Sequence, residues 1–127
     1  MSGRWRILVV EDQEDNRTIL RDLLTHAGFD VLEAVTGEEG VRAADAHRPD
    51  LILMDIQLPV VDGYEATRRI KARPELRAVP VIAVTSYALS GDEGKARAAG
   101  CDGYVTKPFS PRQLLATVRG YLPDDGG

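Results

Sequence analysis

Short apolar runs alternate with amphipathic stretches five times along the chain. The runs are Ile7-Leu8-Val9-Val10, Val31-Leu32, Leu51-Ile52-Leu53-Met54, Val81-Ile82-Ala83-Val84 and Tyr104-Val105. Three of them are apolar at every residue rather than at every second one. Strands of that kind are buried on both faces, as in a parallel sheet covered by helices. Between the runs, apolar residues fall at helical spacing. Ile19, Leu20, Leu23, Leu24 and Ala27 mark one helix face, and Leu114, Leu115, Val118, Tyr121 and Leu122 mark another.

The helix starts are signalled by their capping residues. Thr36-Gly37-Glu38-Glu39, Ser90-Gly91-Asp92-Glu93 and Ser110-Pro111-Arg112-Gln113 each place a hydroxyl three residues before Glu or Gln, the pattern of a capping box. Asp62-Gly63-Tyr64-Glu65 is the aspartate version. Pro111 falls at a first helical position, where its missing N–H costs nothing, and Gly28 and Gly100 suit helix ends. The predicted elements are β1 7–11, α1 15–27, β2 30–34, α2 37–47, β3 51–55, α3 63–72, β4 81–85, α4 91–99, β5 103–106 and α5 111–122. This is a (βα)5 doubly wound α/β domain with helices on both faces of a parallel five-stranded sheet. Residues 123–127 read as a frayed tail.

Composition narrows the functional classes. The chain has 127 residues, 43% hydrophobic and 28% charged, the balance of a globular domain. Its length suits one domain and leaves no room for separate cofactor and substrate domains. Cys101 is the single cysteine, so no intramolecular disulfide and no C-x-x-C metal or redox pattern is possible. The longest apolar run, residues 78–84, is far short of the roughly 18 residues of a membrane span. No apolar stretch of signal-peptide length follows Met1, which points to a cytoplasmic protein. A net charge of −4 gives no general attraction to nucleic acid or to anionic membrane.

In an open parallel α/β sheet, ligands bind beyond the carboxyl ends of the strands. There β1 ends in Glu11-Asp12, β3 in Asp55, β4 in Thr85-Ser86, and β5 in Thr106-Lys107-Pro108. Topology alone therefore gathers three carboxylates, hydroxyls and a lysine at one edge. Two unit charges about 4 Å apart repel by about 4 kcal/mol at an effective dielectric near 20. A site keeping three acids needs compensating cations. Lys107 is one, and Mg2+, which takes one or two carboxylates while keeping waters and a phosphate oxygen, is the natural second. That set suits phosphoryl transfer to an aspartate. The turn 11–16 is acidic and lacks the glycines of a dinucleotide site, and Gly-x-Ser-x-Gly and Walker-type motifs are absent.

These residues resemble the receiver domain of two-component response regulators over about residues 5–122. The matching pieces are Ile7 to Asp12, Met54-Asp55-Ile56-Gln57-Leu58-Pro59 with Asp62-Gly63, Val84-Thr85, and Tyr104-Val105-Thr106-Lys107-Pro108-Phe109. The stretch 85–93 with Gly100-Cys101 resembles stand-alone receivers of the DivK type, and receivers of hybrid histidine kinases are similar too.

The resemblance implies strand order 2-1-3-4-5. It implies Asp55 as phospho-acceptor, and Glu11, Asp12, Asp55 and the Gln57 backbone carbonyl around Mg2+. Thr85 and Lys107 would contact the phosphoryl group, Thr85 and Tyr104 would act as the switch pair, and the Lys107–Pro108 peptide would be cis. It implies a histidine kinase or histidine-phosphotransfer protein as donor and a downstream protein target met through the α4-β5-α5 face. The chain would be a monomer or weak dimer, and no conventional turnover enzyme beyond its own phosphorylation and slow dephosphorylation. Glu11 stands where Asp is frequent. Gln57 and Tyr87 occupy the variable positions that tune dephosphorylation. A turnover phosphatase is disfavoured because Asp-x-Asp does not follow β1, and a phosphorylation-independent docking domain is disfavoured because every site residue is present. Asp15 and Asp62 are expected only to cap helices, and Arg68, Arg69, Arg73 and Arg77 to form a solvated face. If the 127 residues are the whole chain, little remains for an output domain, and signalling must proceed by protein contact.

Overall fold

The continuous apolar runs are strands because both of their faces are covered. A computed structural model describes residues 4–86 and 92–122. Strands β1 (Arg6–Val10), β2 (Asp30–Ala34), β3 (Leu51–Asp55), β4 (Val81–Thr85) and β5 (Gly103–Thr106) form one sheet in the order β2-β1-β3-β4-β5. All four neighbouring pairs are parallel. Helices α1 (Glu14–His26), α2 (Gly37–His47), α3 (Gly63–Lys71), α4 (Asp92–Ala99) and α5 (Pro111–Tyr121) link or follow the strands.

Side-chain alternation divides each apolar run between two cores. Leu8, Val10, Ile52, Met54, Val81 and Ala83 join Val41 and Ala44 of α2, Ala66 and Ile70 of α3, and Ala96 of α4. Ile7, Val9, Leu51, Leu53, Ile82 and Val84 join Leu20 and Leu24 of α1 and Leu114 and Val118 of α5. Ile7, Leu8, Leu51 and Ile52 have no exposed surface, and each such side chain contributes about 1.5–3 kcal/mol on burial. These layers hold the sheet rigid and leave the strand ends free to carry chemistry.

The predicted side-chain caps at Thr36, Asp62 and Ser110 form, with the return bond of the first box reaching Val35 in place of Thr36. Thr36 Oγ1 accepts the Glu39 N–H at 3.0 Å, and Glu39 in turn accepts the Val35 N–H at 2.9 Å. Asp62 Oδ1 accepts the Glu65 N–H at 2.9 Å, and Ser110 Oγ accepts that of Gln113 at 3.0 Å. Gly28 and Gly100 end their helices at φ +98° and +107°. The capping box at Ser90, Tyr87 and the tail 123–127 lie outside the described residues.

Three details differ from the sequence expectation. α1 begins at Glu14 behind Gln13, so Asp15 sits in the first turn instead of capping it. There its charge favours the helix dipole. Ile19 is not on the buried face but 56% exposed. A 3-10 turn, Pro74–Leu76, intervenes between α3 and β4 and buries Leu76 completely.

Candidate functional site

The sheet ladder carries Glu11, Asp12 and Asp55 to one edge. The Glu11 N–H donates to the Ala34 carbonyl at 3.0 Å, continuing the β1–β2 pairing one residue past the strand. β3 ends on Asp55, whose partner in β4 is Val84, so Thr85 lies one residue beyond. Thr85 and Thr106 pair across β4 and β5, and the Lys107 N–H donates to the Thr85 carbonyl at 2.7 Å. After Asp55 the chain turns sharply. The Gly63 N–H donates to the Ile56 carbonyl at 3.0 Å. A Cβ on Gly63 would lie 2.4 Å from the Asp55 carbonyl oxygen and 2.6 Å from Ile56 Cα, so only glycine allows α3 to start this close to the acid.

One carboxylate oxygen from each of Glu11, Asp12 and Asp55 falls within 4.8 Å of the others. Glu11 and Asp55 are buried, at 1% and 3% exposure, and Asp12 is half-buried. Lys107 reaches over them, with its ammonium 3.2 Å from Glu11 Oε1 and 3.5 Å from Asp55 Oδ2. Backbone groups hold the carboxylates in place. The Gln13 N–H donates to Glu11 Oε2 at 3.1 Å, and the Gln57 N–H donates to Asp55 Oδ1 at 3.0 Å. Asp12 makes no such bond among the described residues.

Burial pushes the Glu11 carboxyl up from 4.5 to about 7, and the neighbouring charge of Asp55 adds to the rise. The Gln13 N–H and the Lys107 ammonium oppose it without cancelling it. Two buried acids sharing one lysine cannot both be ionised comfortably. A hard divalent cation bound by oxygen ligands would relieve that repulsion, and the donor set suits one.

The other sequence-predicted residues lie around this cluster. Thr85 is fully buried. Tyr104 packs at the edge of the core under α2, α3 and α4, with its hydroxyl oxygen buried. Gln57 is half-buried directly after Ile56. The Lys107–Pro108 peptide is cis. A cavity of about 480 Å3 opens beside the acids, lined by Glu11, Asn16, Ile19, Leu20, Ser86, Lys107, Pro108 and Phe109. The exposed Ile19 therefore belongs to the mouth of the site. Sequence reasoning also missed Arg17, whose guanidinium donates to the Glu11 carbonyl at 3.0 Å. No spacing rule signals a bond from a helix side chain back to a strand-end carbonyl.

Comparison with known proteins points the same way. The family described as response regulator receiver domain matches residues 7–119. The polar-differentiation response regulator DivK of Brucella anthropi is 46% identical over 118 residues, 93% of this chain and 96% of that protein. DivK of Brucella ovis is 45% identical over the same coverage. The receiver domain of the sensor histidine kinase PA1611 of Pseudomonas aeruginosa PAO1, solved with a magnesium ion coordinated in its active site cleft, superimposes with a TM-score of 0.88. It is 40% identical, covering 94% of this chain and 98% of that one. The Vibrio cholerae chemotaxis protein CheY4 superimposes with a TM-score of 0.90 at 28% identity, covering 94% of this chain and 100% of that one.

Proposed function

The chain belongs to the response regulator receiver family of two-component signalling, and on that premise we propose that it is a phosphorylation-dependent switch with Asp55 as acceptor. The observation that carries this reading is the cluster itself: three carboxylates within 4.8 Å and a lysine ammonium 3.5 Å from Asp55 Oδ2. In the proposed step an Asp55 oxygen attacks the phosphorus of a phosphohistidine on a histidine kinase or histidine-phosphotransfer protein. The phosphorus–nitrogen bond breaks as the phosphorus–oxygen bond forms, and the donor imidazole leaves with the electron pair. Glu11, Asp12, Asp55 and the Gln57 carbonyl would hold Mg2+, which when bound supplies charge neutralisation at the transferring oxygens. Lys107 neutralises the same group from β5, and the Gln57 N–H orients the attacking carboxylate. In this reading the donor would enter at the cavity mouth lined by Ile19 and Phe109.

Once attached, the phosphoryl group would be bonded by the Thr85 hydroxyl and Lys107. Differential contact of this kind shifts a two-state equilibrium, here relayed by Tyr104 to the α4-β5-α5 face that would meet a downstream protein. Residues 1–127 form the one receiver domain in this reading. The chain is no turnover enzyme beyond its own phosphorylation and dephosphorylation. The 40% identity to a receiver from a sensor histidine kinase favours one alternative setting, a phosphorelay within a hybrid kinase. Incubation with acetyl phosphate and Mg2+, read by intact mass, should add one phosphoryl group to wild type and none to Asp55→Asn. Equal addition to both would refute the assignment.

A further inference from the structure

Asp12 projects from the turn after β1 with no hydrogen bond or ion pair of its own among the described residues. Its direction is therefore set by the backbone, and above all by the peptide joining Glu11 to Asp12. The carbonyl of that peptide accepts from Arg17 Nη1 at 3.0 Å. The same guanidinium is anchored on its other side, where Nε donates to Glu33 Oε1 at 3.2 Å. Glu33 stands on β2 opposite Val9 of β1, and Arg21 Nη1 lies 3.5 Å from its second oxygen. The Arg17 and Glu33 side chains are only 17% and 29% exposed, so this pair is less screened than an open surface bridge.

We infer that Arg17 is a positioning residue for the metal site, acting through the Glu11–Asp12 peptide, with Glu33 as its anchor. The inference rests on reading Glu11, Asp12 and Asp55 as a Mg2+ site. The planar fork explains the choice of arginine, because one guanidinium serves a carbonyl and a carboxylate in fixed directions. Glu33 also offsets its charge, so Arg17 orients the acids while adding little repulsion toward a dication. Released from Arg17, the peptide can rotate and carry Asp12 away from Asp55, 43 residues further along the chain.

The test is calorimetric titration of MgCl2 into the full chain, with unfolding in urea and EDTA measured alongside. Wild type should bind Mg2+, and Asp12→Ala should abolish binding. Arg17→Ala should weaken binding by about 10-fold or more, the range for groups that orient metal ligands. Arg17→Lys should recover part of the loss, and Glu33→Gln should weaken binding by a smaller factor. A purely structural Arg17 would lower urea stability and leave the Kd of the folded protein unchanged. Arg17→Ala binding within twofold of wild type overturns the inference. If Arg17→Ala does not fold, unchanged Kd in both Arg17→Lys and Glu33→Gln overturns it. A wild type that takes no Mg2+ overturns the metal-site reading instead, a failure distinct from the first.

Discussion

The acid cluster should make the metal-free protein less stable as pH rises through neutrality. Folded Glu11 holds its proton up to about 7, against 4.5 for the ordinary carboxyl. Below about 4.5 the group is protonated in both folded and unfolded chains and contributes nothing. Between 4.5 and 7 the unfolded chain has released the proton while the folded chain retains it, so stability falls as pH rises. Above 7 the loss is complete. At about 1.4 kcal/mol for each pH unit, the rise amounts to about 3 kcal/mol. For a chain of this length that is about 10 °C in Tm. The assay is urea unfolding followed by far-UV circular dichroism from pH 5 to pH 8 in EDTA. Glu11→Gln cannot ionise, so wild type minus Glu11→Gln cancels the titrating groups that lie away from the cluster. That difference should widen against wild type across the window. Asp55→Asn removes the second cause of the rise and should narrow the pH window and the total loss, while leaving the larger part due to burial. Mg2+ at 100 times its Kd should return about 2.7 kcal/mol to wild type at pH 8. A difference that stays flat from pH 5 to pH 8, or grows in favour of wild type, would refute the reasoning.

Other consequences follow from particular contacts. Gly63→Ala forces a Cβ against the Asp55 and Ile56 backbone; it should cost about 1–3 kcal/mol in urea unfolding and slow acetyl phosphate labelling. Lys71 donates to the carbonyls of Arg77 and Val79 and to Asp102 Oδ2 at 3.0, 2.7 and 2.9 Å. Lys71→Met should therefore lower stability by about 2 kcal/mol, allowing for the partial exposure of Asp102. Val60 is fully exposed with φ +67°, a left-handed conformation that a β-branched residue adopts only with strain. Val60→Asn should raise stability by about 1 kcal/mol, because it relieves strain without loss of packing; a lowered Tm would refute this.

What the sequence made legible was local or topological. Thr36, Asp62 and Ser110 announce their helices because a cap needs only a side chain and an N–H three residues away. Asp55 and Glu11 could be placed together because parallel strands must end at one edge, whichever helices connect them. Ile19 was misplaced because its periodic neighbours Leu20 and Leu24 do face the core, and periodicity resolves a helix face only to about one residue's width. Val60 was invisible because nothing in Pro59-Val60-Val61 signals a left-handed turn. That conformation is imposed from outside. Val61 is buried, and its carbonyl presses on α2, 2.3 Å from where a Gly37 Cβ would stand. Arg17 went unseen for the same reason: its partners, the Glu11 carbonyl and Glu33, are set by the sheet.

The cluster also explains why its charge is left unfinished. With all acids ionised, Glu11, Asp12 and Asp55 against Lys107 leave two negative charges uncompensated, the charge of one divalent cation. Two further lysines would neutralise the cluster without any ion, and the site would lose its need for metal. A cluster of fewer acids would be more stable alone and would bind the ion more weakly. The strain carried by Glu11 is thus the counterpart of the proposed Mg2+ dependence. In that reading the substitutions that most stabilise the metal-free protein, Glu11→Gln and Asp55→Asn, should be those that most impair phosphoryl acceptance. Unfolding in EDTA and labelling by acetyl phosphate with Mg2+, measured on the same set of variants, should rank them in opposite orders. Variants that gain stability in EDTA yet label like wild type would separate the two properties and break the argument.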